Sequence, residues 1–248
     1  MMAAEAAAPV VVLIRPQLAE NIGAAARAMM NTGLSELRLV RPRDGWPNAD
    51  AWPMASGAEA ILMQAKVFDS LPEALADLQR LFATTARDRD MVKRIVTPRQ
   101  AAGDLRAAGA RGERTGLLFG SERSGMTSDE LALAETLVMV PLNPEHPSLN
   151  LAQAVLLLGY EWWLAADETP PSRVHLSGST PVPRRLLIDF LDRLEAALDE
   201  DGYFRTPEQK PAMLRNLKAF FARAEPTEQE VRTLHGVVAA LRGARLKR

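Results

Sequence analysis

The sequence predicts an α/β domain built on a parallel sheet, followed by a small helical appendage. Three observations predict it. Short apolar runs alternate with amphipathic helical segments up to residue 166, the pattern of strand–helix–strand units. A stretch rich in Pro, Ser and Thr, DETPPSRVHLSGSTPVP, then occupies 167–183 and reads as a linker. Beyond it, apolar residues recur only at helical spacing. The expected divisions are therefore 1–166, 167–183 and 184–248.

The run VVVLI at 10–14 reads as a buried strand. NIGAAARAMMNTG, 21–33, reads as a helix with Asn21 near its start and Gly33 as the residue that ends it in left-handed backbone. LRLV (37–40) and AKVFDS (65–70) are the next strands, and LPEALADLQ (71–79) a helix. LFATTA (81–86), TGLLFG (115–120) and TLVMVPL (136–142) complete six strands. SLNLAQAVLLLGYEWWLAA, 148–166, reads as a long helix with Ser148 as its N-cap. In the appendage, Leu187, Phe190, Leu191, Leu194 and Leu198 mark one helix, and Leu214, Leu217, Phe220 and Phe221 a second. A third opens on the capping box Thr227–Glu230 and offers Val231, Leu234, Val238 and Leu241 to a core.

Composition excludes several chemistries. The 248 residues carry a formal net charge of −1, so only local charge clusters can name a partner. Cysteine is absent, which removes disulfides, thiolate nucleophiles and thiolate-bound metals. His146, His175 and His235 are scattered and share no ligand spacing, so no metal is expected. The N-terminal segment MMAAEAAAPV lacks a basic flank, the apolar run after it stops at Arg15, and the later run AVLLLGYEWWLAA is interrupted by Glu161. A cytoplasmic protein without a membrane span is expected.

Ligands of parallel sheets gather outside the carboxyl ends of the strands, so strand-to-helix junctions are where chemistry is sought. At the first junction, Gly23 and neighbouring alanines permit close backbone approach, and Arg27 lies four residues beyond Gly23, placed to hold a phosphate. The second, FGSERSGMTSDE (119–130), nearly spells a P-loop: Gly120, Gly125 and Thr127 fall in register, but Met126 stands where the lysine must be. The missing cation and Glu122 in the loop argue against a triphosphate; a strand, a glycine turn and a helix capped by Thr127 and Glu130 remain. The third, VPLNPEHPSLNLAQA (140–154), crowds Asn143, Ser148 and Asn150 together. Basic clusters at Arg87, Arg89, Lys93 and Arg94, and at Arg205, Lys210, Arg215, Lys218 and Arg223, favour a polyanionic partner; only Glu208 opposes the second.

The ordered set NIGAAARAM, FGSERSGMTSDEL and NPEHPSLNLAQAV resembles the three signature motifs of the SPOUT superfamily of RNA methyltransferases, TrmH branch, over about residues 9–166. The tail GYF…MLRNLKAFFARAEPTEQEVRTLHGVVAAL resembles the C-terminal extension of the TrmJ family, tRNA (cytidine/uridine-2′-O)-methyltransferases acting at nucleotide 32 of the anticodon loop. The resemblance implies a C-terminal deep trefoil knot in the α/β domain, an exception to ordinary chain topology. It implies S-adenosylmethionine as cofactor, tRNA rather than DNA as substrate, and a homodimer with sites near the subunit interface. By motif, Thr84, Thr85, Ala86, Gly120, Val140, Leu142, Ser148 and Leu149 would hold the cofactor. Arg27 corresponds to the motif-one arginine regarded as catalytic, with Asn21, Glu122, Ser148 and Asn150 around it. A guanidinium does not give up its proton, so Arg27 would stabilise the developing alkoxide or clamp a phosphate. Methylation of ribosomal RNA and a non-catalytic RNA-binding role are the competing readings.

Overall fold

The computed structural model describes residues 7–87, 90–172, 176 and 178–245. The chain divides into two compact units, residues 1–169 and 170–248. The first holds seven strands: β1 (Val10–Ile14), β2 (Leu37–Val40), β3 (Lys66–Phe68), β4 (Arg80–Thr84), β5 (Arg94–Val96), β6 (Thr115–Phe119) and β7 (Thr136–Val138). They form one sheet in the order β3-β2-β1-β6-β4-β7-β5, and every pairing is parallel. The six expected strands are present. The seventh, β5, carries no apolar run: Arg94 and Ile95 are exposed at the sheet edge and only Val96 is buried.

Alternation along β1 splits the core into two layers. Val11 and Leu13 face α1 (Ala19–Asn31), the short helices α2 (Trp52–Ala55) and α3 (Glu59–Met63), and two helices from later in the chain. Val10, Val12 and Ile14 face α4 (Leu71–Leu75) and residues of the segment after β6. The later helices of the first layer are α5 (Pro98–Ala110) and α7 (Leu151–Leu164); α6 (Ser128–Ala132) completes the second. A two-sided parallel sheet follows.

Small residues set how closely α1 packs. A Cβ added at Gly23 would lie 1.9 Å from the carbonyl oxygen of Ala51, and Ala25 and Ala26 are fully buried. The close approach expected of this helix is thus made by the 49–51 turn. Gly33 follows the C-cap Thr32 with φ 71°, where the sequence placed it.

At the amino ends of β2 and β6 the buried Arg38 sits among carboxylates. Its Nη1 and Nη2 donate to the two oxygens of Asp77 at 2.6 and 2.9 Å, its Nε and Nη2 to Glu36 at 3.1 and 2.7 Å, and Nη1 also to the Ala74 carbonyl at 2.7 Å. These five bonds equal the donor capacity of a guanidinium. Arg114 pairs with the same two carboxylates.

The second unit contains α8 (Arg184–Glu200), α9 (Lys210–Ala224) and α10 (Glu228–Arg245). Leu187, Phe190, Leu191 and Val231 form its core, with Phe221 edge-to-face on Phe190 at 5.1 Å. The Thr227–Glu230 capping box forms, the Glu230 amide donating to Thr227 Oγ1 at 3.3 Å and the Thr227 amide to Glu230 Oε2 at 2.7 Å. Leu241, expected in the core, is 67% exposed, because the helix runs past the partners that cover its first turns. Among the described residues no helix is long and apolar enough to cross a membrane.

Candidate functional site

Strands β1, β6, β4 and β7 are neighbours, so the loops leaving their carboxyl ends converge. Between the loops after β4, β6 and β7 lies a cavity of about 420 Å³, within the range of small-molecule sites. All eight residues assigned to a cofactor by motif line it: Thr84, Thr85 and Ala86 from β4, Gly120 from β6, Val140 and Leu142 from β7, and Ser148 and Leu149 ahead of α7. Phe119, Met126, Leu151 and Ala154 also line it, apolar positions outside the set assigned to a cofactor by motif. Arg87 and Arg123 are exposed at its lining.

A polar network stands beside this cavity. Asn21 Nδ2 donates to Glu122 Oε1 at 2.7 Å, and Asn150 Nδ2 donates to Asn21 Oδ1 at 3.0 Å. The Gln17 amide donates to the other oxygen of Glu122 at 2.8 Å. The first motif, more than a hundred residues upstream of the other two, thereby meets both through side-chain amides and one carboxylate. Gln17 had no signal in sequence, since what it gives Glu122 is a backbone amide.

The near-P-loop has a packing explanation. Met126, in the lysine position, is buried in the same apolar layer as Val12, Ile14 and Leu131. Gly120 is required by close approach: a Cβ there would lie 2.4 Å from the Gly125 carbonyl carbon and 2.6 Å from the Met126 nitrogen. Backbone atoms cannot step aside as a flexible side chain can. Gly120→Ala should displace the loop and weaken ligand binding in the cavity at least about tenfold, a loss on the order of 1.4 kcal/mol, read by calorimetry with S-adenosylmethionine. An unchanged affinity would mean that the loop relaxes freely.

Two other expectations, the cap of α7 and the place of Asn143, are corrected. Helix α7 starts at Leu151, not Ser148, and its N-cap is Asn150, whose Oδ1 accepts from the Ala152 amide at 2.9 Å while Gln153 Oε1 accepts from the Asn150 amide at 3.2 Å. The amide caps the helix and orients Asn21 at once, which a serine two residues earlier cannot do. Asn143 does not join the cluster; its Oδ1 closes a turn by accepting from the Glu145 amide at 3.1 Å. Arg27 is exposed on α1, outside the cavity lining and outside the Asn21–Glu122–Asn150 network. Gly23, four residues earlier, is buried.

Both basic clusters are partly consumed by structure. Lys93 donates to the carbonyls of Ala132 and Ala134 at 2.9 and 2.7 Å, and Arg94 pairs with Asp104 at 2.6 Å. Asp88, Arg89 and His175 lie outside the described residues. In the tail, Lys210 pairs with Glu195 and Asp199 of α8, and Lys218 with Glu195, so Glu208 is not the only opposing charge. What remains is the solvent face of α9, where Arg215, Asn216, Phe220 and Arg223 are exposed and no acidic residue occurs in the helix. Among the described residues no group of three or more potential metal-ligating side chains is present.

A ligand-sized cavity outside the carboxyl ends of adjacent parallel strands places the protein among α/β folds with a small-molecule-sized site at that position. Comparison with known proteins sharpens the class. The SpoU rRNA Methylase family matches residues 8–160, and the C-terminal domain of the tRNA methyltransferase TrmJ matches residues 187–248. The chain is 37% identical over 239 residues to a tRNA (cytidine/uridine-2′-O-)-methyltransferase TrmJ of Salmonella typhimurium, covering 93% of this chain and 95% of that protein. It is 37% identical over 236 residues to a tRNA (cytidine/uridine/adenosine-2′-O-)-methyltransferase TrmJ of Pseudomonas aeruginosa, covering 92% and 91%. The crystal structure of TrmJ from Z. mobilis ZM4 superposes with a TM-score of 0.83 at 46% identity, covering 95% of this chain and 99% of that one. The chain belongs to the SpoU methylase family and, within it, to the TrmJ group.

Proposed function

We propose that the protein transfers a methyl group from S-adenosylmethionine to the ribose 2′-hydroxyl of cytidine or uridine 32 in the anticodon loop of tRNA. The observation that carries this reading is that the second and third motifs line one cavity, while Asn21 of the first is hydrogen-bonded beside it to Glu122 and Asn150. The relatives named for tRNA 2′-O-methylation support the choice of reaction and substrate.

The cavity fits the cofactor. Val140, Leu142 and Leu149 offer an apolar seat for a flat base, and Gly120 leaves backbone uncovered where a side chain would fill the space. Thr84, Thr85, Ala86 and Ser148 complete that holding set. When bound, S-adenosylmethionine supplies an electrophilic methyl group. The chain's own residues must position the ribose and help remove its proton. Asn21, Glu122, Ser148 and Asn150 form the polar wall toward the ribose. Arg27, a fixed cation on the solvent face of α1, stabilises the developing alkoxide or clamps the adjacent phosphate.

Residues 1–166 are the methyltransferase domain in this reading, 167–183 the linker and 184–248 an RNA-binding extension, in a cytoplasmic enzyme. The α/β domain ends in a deep trefoil knot. The strand order supports the knot, because β7 inserts between β4 and β5, both laid down earlier in the chain. The working form is a homodimer. Leu156, Tyr160 and Trp163 leave an exposed apolar stripe on α7 at helical spacing, beside the exposed Met30 of α1. Trp163→Glu should shift the protein to monomer in sedimentation; an unchanged dimer would place the interface elsewhere.

The test is methyl transfer from labelled S-adenosylmethionine to bulk tRNA and to ribosomal RNA fragments. Label in tRNA alone supports the reading. Label only in ribosomal RNA would transfer the assignment to that substrate, and no transfer with intact RNA binding would favour a non-catalytic role. If Arg87, Arg123, Arg215 and Arg223 meet phosphates, log affinity should fall with log salt at a slope of about −0.7 to −0.9 per contact. A flat response would make these arginines solvated surface.

A further inference from the structure

We propose that Arg15 is a positioning residue for the cofactor-side loop, clamping Glu130 so that the segment 120–130 holds the shape of the cavity wall. The inference rests on the cavity being the S-adenosylmethionine site. Arg15 is absent from the signature motifs and from the cavity lining.

Arg15 is the first residue after β1, and its backbone is left-handed, φ 49°, a region that non-glycine residues seldom occupy. Its amide continues the β1–β2 ladder by donating to the Val40 carbonyl at 2.8 Å. In this conformation the guanidinium meets the Glu130 carboxylate as a two-pronged pair, Nη1 on Oε1 and Nη2 on Oε2, the latter at 2.9 Å. Glu130 is the third residue of the α6 capping box, and its Oε2 also accepts from the Thr127 amide at 2.7 Å. One carboxylate therefore closes the helix start and receives the arginine fork.

The other end of the same loop is held from the same segment. The Gln17 amide donates to Glu122 at 2.8 Å, and Gln17 Nε2 donates to the Arg15 carbonyl at 3.1 Å. The residues between these anchors, Arg123 to Met126, line the cavity. The Glu130 side chain is 14% exposed and that of Arg15 34%, so the pair is partly shielded from water. Charge-assisted, two-pronged bonds of this kind fix orientation as well as distance.

The experiment compares wild type with Arg15→Ala, Arg15→Lys, Glu130→Gln and the Arg15→Ala/Glu130→Gln pair. Glutamine retains an oxygen for the Thr127 amide but loses the charge for Arg15. Calorimetry with S-adenosylmethionine should show affinity reduced about tenfold in each of Arg15→Ala and Glu130→Gln, the size of a lost charge-assisted pair. The double variant should be no weaker than either single, because both remove one interaction. Arg15→Lys should fall between, keeping charge without the fork. At saturating cofactor, kcat and the KM for tRNA should be unchanged, and so should the melting temperature. Additive losses, an unchanged affinity in Arg15→Ala, or a fall in affinity that tracks a fall in melting temperature would overturn the proposal. A second readout needs no cofactor: limited trypsin cleavage after Arg123 should accelerate in Arg15→Ala. Equal cleavage rates would overturn the clamp. Failure of the wild type itself to bind S-adenosylmethionine, with cleavage accelerated as expected, would fall on the functional reading and leave the clamp standing.

Discussion

Arg27→Ala is expected to lower kcat for tRNA methylation by about 10²–10³-fold, the usual consequence of removing a preorganised donor from a site of developing negative charge. S-adenosylmethionine affinity should stay at the wild-type value, because Arg27 is exposed on α1 and does not line the cavity. The reason for the asymmetry is geometric. Asn21, on the same helix, is tied to Glu122 and Asn150 beside the cavity, whereas Arg27 lies nearly two turns further on, facing solvent. A group so placed can meet RNA or a second subunit without touching the cofactor. Steady-state rates and calorimetry on the same preparation check both halves. Loss of cofactor affinity equal to the loss of rate would make Arg27 a structural residue instead.

Arg38→Ala should destabilise the first unit by about 3 kcal/mol, the lower part of the range for breaking a buried ion pair. Arg38 is 3% exposed, and its removal takes away the buried one of the two arginines that Glu36 and Asp77 share, leaving Arg114 to hold both carboxylates. The lower part applies because those carboxylates are 30% and 45% exposed, so water partly replaces the lost partner. The cluster also fixes a pH dependence. Hydrogen bonding to Arg38 holds the Asp77 carboxyl well below its ordinary 3.8. Burial pushes Glu36 upward, but the Arg38 hydrogen bond and neighbouring cations overcome it and leave the group lowered. A carboxylate depressed in the folded state contributes stability that is complete above its ordinary value and is lost as pH falls through the depressed one. Urea midpoints of the wild type should therefore drop steeply below about pH 4, and those of Arg38→Ala less so. Parallel curves would show that the cluster does not set acid stability. The cluster lies at the amino ends of the strands, opposite the cavity at their carboxyl ends, so methyl transfer by the folded variant should be normal.

The strands that position the site were legible because each is an apolar run with a turn signal after it: VVVLI, LFATTA, TGLLFG and TLVMVPL. β5 was not, because a three-residue edge strand with two exposed residues has no run to read. Helix α5 was missed although its signals were present: Thr97 accepts from the Gln100 amide as N-cap, Pro98 follows it, and Gly112 turns at φ 80° beyond the end. Within the site, the motifs gave Asn21, Glu122 and Asn150, but not that Asn150 rather than Ser148 caps α7. The anchors Arg15 and Gln17 were invisible because their partners lie 115 and 105 residues away, and nothing local in the sequence announces such a contact. The tail illustrates the reverse error. Lys210 and Lys218 stand out as a basic run in sequence but turn toward the carboxylates of α8 once the helices pack.

The most direct measurement is to incubate the protein with labelled S-adenosylmethionine and tRNA and to map the modified nucleotide. The account predicts label on the ribose 2′-oxygen of cytidine or uridine 32. Label on a base, or on the ribose of another nucleotide, would contradict it.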